Sequence, residues 1–61
     1  MVEKIYYINN SIELEEAIDF LQNLLPCFVE RELVEMDYSK VIITARCEDV
    51  KTVEFKLAPL I

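Results

Sequence analysis

The stretch NNSIELEEAIDFLQNLLP, residues 9–26, constrains the fold more than any other part of the chain. Apolar residues recur at Ile12, Leu14, Ala17, Ile18, Leu21, Leu24 and Leu25, with Phe20 on the shoulder. That spacing is helical and leaves a wide apolar stripe. Glu15, Glu16, Asp19, Gln22 and Asn23 fall on the opposite side. Asn10 as N-cap puts Glu13 at the third helical position in a capping box, and Ser11 can cap instead. Acids in the first turn suit the helix dipole. Pro26 ends the helix, because the residue before a proline avoids the helical region.

Strand-like segments flank this helix. VEKIYYI (residues 2–8) is rich in β-branched and aromatic residues, with apolar groups on both faces, and reads as a strand covered on both sides. After Pro26, Val34, Met36 and Tyr38 alternate with Glu35 and Asp37, a strand beginning near Arg31. YSK (38–40) reads as a turn. VIITARC (41–47) is the clearest strand, with Val41, Ile43, Ala45 and Cys47 on one face and Ile42, Thr44 and Arg46 on the other. EDVK reads as a turn too short for a helix. TVEFKLAPLI closes with Val53, Phe55 and Leu57 alternating against Thr52, Glu54 and Lys56, a fourth strand that Pro59 stops.

The expected fold is a single α+β domain over residues 1–61 with the order β-α-β-β-β. One helix packs on one face of a four-stranded, mostly antiparallel sheet, and residues 31–57 form the meander. The first strand lies beside either the second or the fourth. One helix cannot bury both faces of a sheet. Ile5, Tyr7, Leu33 and Ile42 are expected on the uncovered face, and the apolar end Leu60–Ile61 is expected to reach a partner.

Size and composition sharpen that expectation. At 61 residues, ordering entropy and apolar burial nearly cancel, and self-association is a usual remedy. Hydrophobic residues make up 54% of the chain, above the common 45–50%. So apolar a chain is hard to hide within one small monomer, and a two-fold homodimer is expected.

The net charge of −6 is unevenly placed. Glu13, Glu15, Glu16, Asp19, Glu30, Glu32, Glu35 and Asp37 stand against Arg31 alone in residues 9–38, while the remainder is nearly neutral. Such a field repels phosphate backbones and anionic lipid, so direct binding to nucleic acid or membrane is not expected. The start lacks a basic segment followed by an apolar run, and no uncharged stretch is long enough to span a bilayer. A cytoplasmic location is expected, with Cys27 and Cys47 reduced and buried as small hydrophobes.

Catalytic signatures are scarce. There is no histidine, which removes the commonest general base and metal ligand. With no glycine there is no P-loop, dinucleotide fingerprint or nucleophile elbow. A catalytic cysteine would lack its histidine. The carboxylate pair Glu35/Asp37 could share a hard cation only with several further oxygen ligands, so no metal or cofactor is expected.

The expected function is that of a small acidic, non-enzymatic protein-interaction module: adaptor, complex subunit or inhibitor. Glu13, Glu15, Glu16 and Asp19, with Glu30 and Glu32 nearby, form its candidate acidic face toward a basic protein surface. Mimicry of nucleic-acid charge is one version of this reading. A purely structural homo-oligomer is the alternative, and a small-ligand or metal module near Cys27 and Cys47 a weaker one.

Overall fold

The computed structural model describes residues Met1–Ile61. Strand β1 spans Val2–Asn9, helix α1 Ile12–Leu24, strand β2 Phe28–Glu35 and strand β3 Tyr38–Ala45. A 3₁₀ turn at Cys47–Asp49 leads into helix α2, Val50–Leu57, and a second 3₁₀ turn, Ala58–Leu60, ends the chain. The fold is α+β as expected, with three strands and two helices rather than four strands and one helix.

Ser11, not Asn10, caps α1. Its backbone is extended and its hydroxyl accepts from the Leu14 amide at 3.2 Å. Asn10 is engaged elsewhere. Its side-chain oxygen accepts from Arg31 Nη2 at 2.8 Å and from the Ser39 hydroxyl, and its amide donates to the Asp37 carbonyl at 2.7 Å. One residue thus ties the end of β1 to β2 and to the β2–β3 turn. The helix stops where Pro26 requires, with the Leu25 amide still bonded to the Leu21 carbonyl at 2.9 Å.

The sheet order is β1-β3-β2, antiparallel at both junctions. The first strand therefore lies beside neither of its expected neighbours. It pairs with β3, with Val2 opposite Ala45 and Asn9 opposite Tyr38. Strand β2 begins at Phe28, earlier than the sequence suggests, and β3 begins at Tyr38 because the turn is Met36–Asp37.

The expected fourth strand is helix α2. Its Val53 and Leu57 are buried, while Phe55, which a strand would turn inward with them, is 84% exposed. Residues four apart share a face in either periodicity, so only Phe55 distinguishes the two. The EDVK segment, expected as a turn too short for a helix, supplies the helix start. There the Asp49 amide donates to the Arg46 carbonyl at 2.8 Å, and Arg46 Nε meets the buried Asp49 carboxylate at 2.9 Å. Two cross-ties hold α2 in place. Lys4 pairs with Glu54 at 3.4 Å, and Lys56 stands 4.3 Å over the Phe20 ring of α1.

Both helices cover the same face of the sheet. Leu14, Ala17 and Leu21 of α1 and Val53 and Leu57 of α2 join Ile8, Val41, Ile43 and Ala45 in one buried cluster. On β3 every second residue, Ser39 to Ala45, is buried, and the intervening ones are half-exposed. The core is thus one layer thick. The opposite face of the sheet has no cover, so β1 is buried on one side, not on both. The apolar stripe of α1 is also narrower than its spacing suggests, since Ile12 and Leu24 are exposed.

Two substitutions separate the helical from the strand account of residues 50–57. Phe55→Ala should change the unfolding free energy by less than about 0.5 kcal/mol, as for an unencumbered surface site. Leu57→Ala should cost about 2–5 kcal/mol, as in a packed core. Urea denaturation of both variants is the measurement, and a large loss at Phe55 would contradict the helix.

Candidate interaction surface

The uncovered face of the sheet is built by register. Three rows of residues cross it from β1 through β3 to β2: Glu3, Thr44, Phe28; then Ile5, Ile42, Glu30; then Tyr7, Lys40, Glu32. Ile5, Tyr7 and Phe28 are each about half exposed or more, at 48%, 56% and 62%. Ile42 sits among them, half-buried. Ile5 and Tyr7 on β1, Ile42 on β3 and Phe28 at the start of β2 supply the apolar groups of this face, with Glu3, Lys40, Glu30 and Glu32 around them.

Of the residues expected to self-associate, the structure brings Ile5, Tyr7 and Ile42 together. Leu33 pairs with Ser39 and so belongs to the helix-side pleat, where it lies 72% exposed near the tip of β2. Leu60 packs partly against the core, and Ile61 is exposed. Phe28 escaped the sequence reading. Setting the strand start at Arg31 left Phe28 in a loop, although its parity with Glu30 and Glu32 assigns it to their face once β2 is extended backward.

The acidic residues divide between two surfaces. Glu13, Glu15, Glu16 and Asp19 are exposed on α1, and none of them takes part in an ion pair. Glu30 and Glu32 share the open face of the sheet with Ile42 and Lys40. The six carboxylates therefore do not form one continuous row. Arg31 does not neutralise the neighbouring glutamates, because its guanidinium is turned to Asn10 and the buried Ser39 (Nε to Oγ 3.4 Å).

A cleft of about 540 Å³ runs beside the outer edge of β1, lined by Glu3, Lys4, Ile5, Tyr6, Ala58 and Ile61, with Glu54. Tyr6 contributes a buried hydroxyl with no hydrogen-bond partner. Burial first, and the nearby Glu54 carboxylate second, push the Tyr6 phenol above its ordinary value of 10.0. The Cys27 thiol is raised from 9.0, by burial and then by Asp49, and donates to the Leu21 carbonyl at 3.7 Å. A thiol held neutral is a poor nucleophile. Cys47 is exposed. No group of three or more Cys, Asp or Glu side chains gathers to hold a metal ion, and Asp37 lies in the turn rather than on a strand with Glu35. No helix is long and apolar enough to cross a membrane.

The chain matches no protein-family model, no curated protein and no solved structure.

The raised Tyr6 and Cys27 values fix a pH dependence. The fold prefers the neutral form of each group. Its full stability is therefore present below the unfolded values of 9.0 and 10.0 and falls as pH rises through the shifted ones. Tyr6→Phe should flatten the alkaline part of that fall. At neutral pH it should raise stability by about 1 kcal/mol, because it deletes an unpaired buried hydroxyl. Denaturation curves at neutral and alkaline pH check both statements. A loss of stability in Tyr6→Phe at neutral pH would mean that the hydroxyl has a partner.

Proposed function

We propose that this chain is a small, non-enzymatic protein-interaction module that works as a homodimer and offers its remaining surface to another protein. The observation that supports this best is the registered patch of Ile5, Tyr7, Phe28 and Ile42 on a sheet face that no element of the chain covers. Exposed single apolar residues are ordinary, but a contiguous patch rimmed by polar groups marks a contact surface. The wider balance agrees. Twelve large hydrophobic side chains are exposed against nine hydrophobic residues buried, so much of the apolar surface is left for an intermolecular contact.

The acids of α1 fit the same reading as the solvated outer layer of such a module. They are unpaired and stand on the layer away from the patch. Association of copies at the sheet would therefore leave them free to meet a basic protein surface, where complementary charge speeds encounter and sets specificity. The reading places the module in the cytoplasm, as part of a larger protein complex.

Light scattering at low and high salt tests the self-association. The expected mass is twice the 7.2 kDa of one chain in both conditions, since an apolar contact survives screening. A mass of one chain at every concentration would overturn the homodimer.

A further inference from the structure

We propose that two copies of this chain join edge to edge through β1, in antiparallel pairing about a two-fold axis near Ile5 and Tyr6. The two three-stranded sheets become one continuous sheet. This deepens the homodimer reading and rests on it.

The two edges of the sheet are built differently. A free strand edge is a template for another strand, and proteins close such edges with charges and bulges. Strand β2 has both devices: Glu30, Arg31, Glu32 and Glu35 along its length, and a register shift between Leu33 and Glu35. Strand β1 has neither in the same measure. Its register with β3 is unbroken from Val2 to Asn9, it contains no proline, and only Glu3 and Lys4 are charged. No strand pairs with its outer side. No hydrogen bond outside the sheet involves the backbone of Val2–Asn9, from either main chain or side chains.

The surroundings of that edge fit a strand. The cleft beside it carries apolar wall from Ile5, Ala58 and Ile61, and includes Tyr6, whose buried hydroxyl lacks a partner. Ile5 and Tyr7 stand on β1 itself, so pairing there places the apolar patches of the two copies next to each other across the axis. Charge also favours the edge. An axis at Ile5 or Tyr6 sets neither Glu3 opposite Glu3 nor Lys4 opposite Lys4, and like charges directly opposite are destabilising. Glu30 and Glu32 then lie on the strands farthest from the axis. Stacking the two open faces instead would bury the carboxylates of Glu3, Glu30 and Glu32 in the contact.

The test compares the wild type with three single substitutions, by sedimentation and by amide hydrogen exchange. Ile5→Lys places two like charges beside the axis. Ile5 is half exposed, so the monomer should keep its fold, with circular dichroism as the check. The expected result is dimerisation weakened about thirtyfold or more, as for the loss of a central contact, together with loss of the exchange protection of β1's outward amides. Ile42→Lys, in the middle of the open face, and Leu33→Lys, on β2, should leave the dimer intact. If Ile42→Lys dissociates the dimer while β1's outward amides exchange freely in the wild type, the faces stack and the edge proposal falls, though the homodimer stands. Dissociation by Leu33→Lys alone would move the contact to β2 and equally overturn it. A wild type that stays monomeric removes the homodimer reading and this proposal together.

Discussion

Strand β3 is the element on which the rest of the molecule depends. It is the only strand with a neighbour on each side, and it separates a buried face from an open one residue by residue. Val41, Ile43 and Ala45 receive both helices, whereas Ile42 and Thr44 receive nothing. A sheet has two faces, and this chain has helices for one of them. Adding α2 beside α1 completes the cover of the first face and does not reach the second. The open face is therefore a remainder of the packing, left where the chain has no further element to place.

The polar end of β3 is as constrained as its apolar middle. Ser39 is buried on the core side, where a hydroxyl needs partners, and finds them in Asn10 and Arg31. This small network joins the start of β3, the middle of β2 and the connection between β1 and α1. It also engages the exposed Arg31. The only base among the eight acids of residues 9–38 is thus used for structure, and the carboxylates of β2 and α1 stay uncompensated at the surface.

Much of this was legible in the sequence, and the failures have particular causes. The boundaries of α1 follow from Ser11 and Pro26, and the presence of β1 and β3 from their β-branched residues, although β3 runs Tyr38–Ala45 rather than 41–47, with the expected turn at 38–40 inside it and Cys47 beyond its end. Residues 50–57 were misread because an eight-residue segment with Val53 and Leu57 satisfies a period of two and a period of 3.6 alike. The alternation of Val53, Phe55 and Leu57 with Thr52, Glu54 and Lys56 suits a strand, and it fails at Phe55, which the structure leaves exposed. Leu33 was assigned to the wrong face for a related reason. Parity fixes faces only once the register is known, and the register here is set by pairing with β3. The grouping of Glu30 and Glu32 with the acids of α1 was proximity along the chain, which a helix-to-strand connection does not carry over into a shared surface.

The absence of glycine links these details to the difference between the two edges. A two-residue β-hairpin ordinarily uses a turn with positive φ, whose twist matches the strands it joins. The β2–β3 hairpin turns through Met36–Asp37, and no residue in the chain has a positive φ. Its turn therefore lacks the matching twist, and the register shift between Leu33 and Glu35, immediately before it, absorbs the mismatch. That shift lies on β2, so the strand carrying most of the sheet's charge also carries its irregularity. Strand β1 leads into α1 through Asn10 and Ser11 and has no hairpin to accommodate. It stays regular for its whole length. The register shift and the charges of Glu30, Arg31, Glu32 and Glu35 thus fall on the same edge of the sheet, whereas the β1 edge has an unbroken register and only Glu3 and Lys4 as charges.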